Sequence, residues 1–143
     1  MAQGVKPPLY TREILRLAAL VPPPAELEPR NARVELRAPT CGSRLRLDIR
    51  VEIDAVSELA LAVEACAFGQ AATALMARHA VGTDLAGAKA AEAAIADWLA
   101  GRRDDPGDWP DIAVLEPARS RPGRHDAILL PFRALVAALE KQA

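Results

Sequence analysis

Residues Arg44 to Ile53 alternate without a break. Leu45, Leu47, Ile49, Val51 and Ile53 fall on one side, and Arg44, Arg46, Asp48, Arg50 and Glu52 on the other. Side chains alternate with period two only along an extended backbone, so this run predicts a strand with one face in a core and one in water. That is the pattern of an antiparallel sheet packed on one side. The mixed signs of the charged face predict solvation rather than a binding surface. A shorter run, Arg33 to Arg37, precedes it through Val34 and Leu36. A third, Ser57 to Ala65, follows a turn at Asp54 to Val56, with Leu59, Leu61 and Val63 set against Glu58, Ala60, Ala62 and Glu64. Three consecutive strands predict an antiparallel meander.

Helical periodicity occupies the rest of the chain. Met1 to Pro8 reads as a loose start, and Tyr10 to Leu20 as a helix with Ile14, Leu15, Leu17 and Ala18 on its apolar face. Val21-Pro22-Pro23-Pro24 ends it, because proline cannot continue a helix, and Ala25 to Arg30 reads as a connector. Phe68 to His79 forms the next helix, with Ala71, Leu75 and Met76 at helical spacing. Gly82 breaks the chain, Thr83 is a candidate N-cap, and Leu85 to Ala100 forms a helix packed through Leu85, Ala88, Ile95, Trp98 and Leu99. Gly101 stands where a left-handed C-terminal glycine belongs, ahead of a polar loop from Arg102 to Asp108. Pro110 suits the first turn of a short helix to about Glu116, and Pro117 to Gly123 reads as a basic loop carrying Arg119 and Arg121. The last helix runs from about Ala127 to Lys141, with Ile128, Phe132, Leu135, Val136 and Leu139 on one face and Pro131 tolerable only in the first turn. The expected fold class is α+β, a three-stranded antiparallel sheet packed on one face by about five helices, in one domain of 143 residues.

A formal net charge of −1 gives no global field for nucleic acid or an anionic membrane. No apolar run approaches the length of a membrane span, and Met1 to Lys6 lacks the pattern of an export signal, so a cytoplasmic protein is expected. Only two cysteines occur, Cys41 and Cys66, which makes a disulfide framework a poor reading and leaves metal or sulfur chemistry to compete with plain burial. Cys66 lies at the seam between the third strand and the alanine-rich helix. Unpaired backbone N–H groups and the helix dipole favour the thiolate there. Cys41 lies in the turn Ala38-Pro39-Thr40-Cys41-Gly42, between the first two strands. In a meander the start of the second strand and the end of the third share one edge, so the two cysteines are expected near each other. Glu64 reads as a sheet-edge charge and His79 as an ordinary surface residue. No Ser-His-Asp set, phosphate-cradling glycine loop or catalytic carboxylate pair is present.

Cys41-Gly42-Ser43-Arg44 before a strand, then Ala65-Cys66-Ala67-Phe68 opening a helix, resembles the NifU/IscU/SufU iron–sulfur scaffold family. Leu9-Tyr10 with Ile14-Leu15 resembles the family's N-terminal helix, and Gln70 to Met76 its helix after the second cysteine. Gly101 to Arg119 resembles the extra stretch of the SufU branch. Arg124-His125-Asp126-Ala127, with Leu130 to Leu135 behind it, resembles the third-cysteine region. The departures are specific. The family's third cysteine falls at Ala127 and its first-loop aspartate at Ser43. The histidine that precedes the third cysteine in IscU-type members falls at Asp126, with His125 one residue earlier. The segment such members offer to a chaperone is replaced by Arg119 to Gly123.

The resemblance implies a scaffold or carrier for an iron–sulfur cluster or iron, without turnover of its own. Cys41 and Cys66 would ligate, Asp126 and His125 would be further donors, and Ser43, Arg44 and Arg124 would support the site. Cys66 is the expected sulfur acceptor. Four thiolates can also come from a homodimer. The implied partners are a cysteine desulfurase and apo iron–sulfur proteins. A metal-free interaction module of the same machinery and a zinc-dependent sulfur acceptor are the alternatives.

Overall fold

A computed structural model describes residues 10–142. Its elements run α1 (Arg12–Ala19), β1 (Ala32–Arg37), β2 (Arg44–Glu52), β3 (Ala55–Glu64), α2 (Ala67–His79), α3 (Leu85–Leu99), two 3-10 helices (Ile112–Ser120 and Pro122–Arg124) and α4 (His125–Glu140). The sheet is antiparallel in the order β1-β2-β3, the meander expected from the alternation. Leu45, Leu47, Ile49 and Leu61 are buried on its helix face. Burying a side chain of that size is worth about 1.5–3 kcal/mol, so this face alone fixes the register.

The helices form a layer with α4 at its centre. It packs on β1 and β2 and takes α2 and α3 against its flanks, while α1 packs on α2. Both α2 and α4 are buried over most of their surface, and alanines let them approach closely. The α2–α3 turn is stitched to the start of β3, where Val56 N–H donates to the Thr83 carbonyl (3.0 Å) and Gly82 N–H to the Val56 carbonyl (2.8 Å). The end of α4 is tied to β1, with Lys141 Nζ 2.7 Å from the Arg33 carbonyl.

The tertiary structure corrects several expectations. Ile53 is not on the buried face. It lies in a two-residue turn with Asp54, both at positive φ (49° and 64°), and is 99% exposed. Asp48 is not solvated, because the segment 25–31, of which Ala25 to Arg30 reads in the sequence as a connector, crosses the outer face of the sheet as a strap. Ala25 N–H reaches Leu61 of β3, Asn31 N–H reaches Ile49 beside β1, and Leu27 is buried between. Leu15 points outward on α1, whose N-cap is Thr11.

Asp84, not Thr83, caps α3 through a 2.8 Å bond from Gly87 N–H. Pro110 opens no helix. The chain turns through Asp111 at φ 67° into a nine-residue 3-10 helix that includes Pro117. The expected basic loop is therefore ordered helix. Arg119 stacks on the Trp98 ring (5.3 Å) and donates to the Trp98 and Arg103 carbonyls (2.9 and 3.2 Å). α4 begins at His125, two residues before the expected start, which places Pro131 beyond its first turn. His79 is half-buried, with Nε2 3.8 Å from Asp111 Oδ2. The expected loose start, Met1 to Pro8, and Leu9 lie outside the described residues.

Candidate cysteine site at the sheet end

Three pieces of chain meet at the end of the sheet away from the Ile53 turn. The first is the β1–β2 loop. Ala38 N–H donates to the Ser43 carbonyl (2.8 Å), closing the loop, and Gly42 takes φ 72°, a left-handed conformation a Cβ would oppose. Cys41 is half-buried in this loop, and its Sγ lies 3.1 Å from Ser43 Oγ. Ser43 is itself buried, so its hydroxyl serves the sulfur rather than water.

The second piece is the start of α2. Cys66 is its N-cap residue, extended at φ −66° and ψ 172°, and its thiol makes no capping hydrogen bond. Instead Gln70 closes the turn, with N–H on the Cys66 carbonyl (2.9 Å) and Nε2 on the Ala65 carbonyl (3.0 Å). Cys66 is a half-buried free thiol. Arg44 pairs with Glu64 in the β2–β3 register, so Cys41, three residues before Arg44, and Cys66, two after Glu64, belong to the same end of the sheet. The expected juxtaposition of the two loops follows from that register.

The third piece is the first turn of α4. Ala127, where the resemblance puts the family's third cysteine, is 1% exposed. It faces Gly69 of α2: a Cβ built on Gly69 would lie 3.3 Å from the Ala127 Cβ and 2.7 Å from the Ala65 Cβ. The site is thus closed behind the cysteines by helix packing.

The other expected site residues are turned to different tasks. Asp126 engages both carboxylate oxygens: Oδ2 accepts from Thr40 Oγ1 (2.9 Å) and Oδ1 from Arg133 (3.2 Å). His125 Nε2 sits 2.8 Å from the Ala118 carbonyl, tying α4 to the 3-10 helix. Arg44 pairs with Glu64 across the sheet (2.8 Å), which confirms Glu64 as a sheet-edge charge. Arg124 is half-buried at the residue preceding α4. Among the described residues no group of three His, Cys, Asp or Glu side chains comes together to hold a metal ion. The donor set of one chain therefore does not fit a resident four-ligand zinc. Thr40 was missed in the sequence because a lone loop threonine carries no signal of what it will face.

Residues 21–115 match the model of the NifU-like N terminal domain. The chain belongs to that family. By sequence it is similar to the zinc-dependent sulfurtransferase SufU of Bacillus subtilis (strain 168), with 28% identity over 110 residues, covering 76% of this chain and 75% of that protein. Among solved structures it is similar to a nitrogen-fixing NifU-like protein (N-terminal) from Brucella abortus, with a TM-score of 0.87, 28% identity and 93% of each chain covered. The fold is shared with FiSufU from the thermophilic Fervidobacterium islandicum AW-1, with a TM-score of 0.83, 21% identity, and 92% of this chain and 96% of that one covered. These structural likenesses cover nearly the whole chain, whereas the family model stops before α4. No helix of the described residues is long and apolar enough to cross a membrane.

Proposed function

We propose that the protein is an iron–sulfur cluster assembly scaffold that carries sulfur, or a cluster in assembly, on Cys41 and Cys66 as a single cytoplasmic domain. The observation that supports this most is the pair of half-exposed free thiols on one sheet end of a NifU-like fold. An iron–sulfur cluster is cargo here and takes four donors. This chain offers two thiolates, so the cluster is held between it and the protein that faces it, in the simplest case a second copy. Sulfur arrives from a cysteine desulfurase and leaves to an apo iron–sulfur protein. In the loading step a thiolate attacks the terminal sulfur of the donor's persulfide. The donor's S–S bond breaks, the donor leaves as thiolate, and this chain keeps the sulfane sulfur as its own persulfide, with no net redox change. The protein is a carrier and turns nothing over by itself. The Bacillus subtilis relative is named zinc-dependent, and zinc at this site would likewise require donors from outside the chain.

A second reading has its own support. Ala127 is packed against Gly69 and Ser43 is bonded to Cys41, which favours a metal-free interaction module of the same machinery.

The deciding measurement is metal and sulfide content, with a visible spectrum, on protein expressed with extra iron and purified without oxygen. The expected result is iron and sulfide in near-equal amounts, lost in both Cys41→Ala and Cys66→Ala. Folded protein free of metal and persulfide would reject the carrier and leave the interaction module.

A further inference from the structure

The loop that carries Cys41 has one hydrogen bond to the helical layer among the described residues, and it is made by the residue next to the cysteine. Thr40 Oγ1 donates to Asp126 Oδ2 at 2.9 Å. The other carboxylate oxygen is held by Arg133, about two turns further along α4, and Arg133 in turn lies 3.9 Å from Glu92 of α3. The carboxylate is thus fixed from behind before it meets the loop. Gly42, on the far side of Cys41, sits at positive φ and has no neighbour within 4 Å of where a Cβ would be, so the loop is open to solvent at that residue. Inside the loop, the Cys41–Ser43 contact orients the sulfur relative to the loop but not relative to the helices.

We propose that Asp126 is a positioning residue for Cys41: through Thr40 it holds the cysteine loop against α4, and it does not ligate cargo. This deepens the carrier reading and rests on it for its biological purpose, but the latch itself is a property of the chain without cargo. Arg133 and Glu92 complete the latch by fixing the carboxylate. A loop released from it samples orientations in which the Cys41 thiol is more open to solvent.

The test is the rate of alkylation by iodoacetamide on the full-length, cargo-free protein, read separately at Cys41 and Cys66 by peptide mass spectrometry. Losing one hydrogen bond of ordinary net strength should raise the Cys41 rate about fivefold in Asp126→Ala and equally in Thr40→Val. Cys66 should stay within about twofold, because nothing it touches has changed. Asp126→Asn and Thr40→Ser keep an acceptor and a donor and should stay near the parent rate. The double variant Asp126→Ala/Thr40→Val should be no faster than either single one, as expected of two partners in one interaction. Thr40 is exposed, so Thr40→Val keeps the test valid if Asp126→Ala folds poorly. An unchanged Cys41 rate in Thr40→Val would overturn the latch, and so would equal rises at both cysteines. Iron and sulfide content of the parent protein is measured in parallel. Its absence, with the alkylation split intact, would reject the carrier and leave the latch standing.

Discussion

Ile53 has a β-branched side chain at φ 49° in the tight turn between β2 and β3, fully exposed. Left-handed backbone is costly for an L-residue, by about 1–2 kcal/mol, and this type of turn favours asparagine and glycine. Ile53→Asn should therefore stabilise the protein by about 1 kcal/mol, seen as a higher urea midpoint at unchanged slope. A lower midpoint would mean that Ile53 makes a contact worth more than its backbone strain. The alternation that placed Ile53 with Leu45 and Leu47 was correct for the strand and wrong by one residue at its end. Period two does not say where a strand stops. His125 and Asp126 carry the same lesson for chemistry. Both are plausible donors in the sequence, yet the Ala118 carbonyl takes one, and Thr40 and Arg133 take the other.

At the scale of elements, the site depends on how α2 and α4 cross. Gly69 is buried at that crossing, and an added methyl would come within 2.7 Å of Ala65 and 3.3 Å of Ala127. Gly69→Ala should gain helix propensity but lose more to overpacking, a net cost of about 1–3 kcal/mol. Chemical denaturation reads the difference, and an unchanged midpoint would show that the two helices separate freely at this point. Element identity was well legible here. β2, β3, α2 and α3 lie within a few residues of where periodicity put them. Of the 3-10 helix Ile112–Ser120 only the first half was, as the short helix expected to end near Glu116; the second half reads as a basic loop, because its arginine reads as solvated until Trp98 and two backbone carbonyls are brought beneath it.

Across the whole molecule, one buried carboxylate on the outer sheet face ties the strap 25–31 to β1 and β2. Asp48 is fully buried, accepts from Arg33 Nε (2.6 Å) and Nη2 (2.9 Å), and accepts from Leu27 N–H (3.0 Å). The Arg33 guanidinium holds its carboxyl below the ordinary carboxylate range, against the opposing effect of burial. A carboxylate with a depressed folded-state pKa contributes stability above its unfolded value, and that contribution drains as pH falls through the depressed one. Asp48→Asn should therefore cost about 2–4 kcal/mol at neutral pH, because Arg33 loses a buried partner, and should flatten the acid limb of the stability curve. Urea midpoints taken from pH 7 down to about pH 2 measure both effects. An acid limb as steep as the parent's would place the responsible carboxylate elsewhere.

The amino-acid sequence by itself determined the strands, most helices, the meander and the two cysteines at its one end, since all of these follow from local periodicity and turn chemistry. It also carried the family resemblance in short runs around Cys41, Cys66 and Ala127. Only the tertiary structure decided which polar groups are occupied. Asp48 is buried because a distant segment crosses it, and Asp126 is a latch because Thr40, 86 residues away, faces it. Hydrogen bonds are short-ranged and directional, so the role of a polar side chain is set by what folding brings within about 3 Å of it, and no pattern along the chain encodes that.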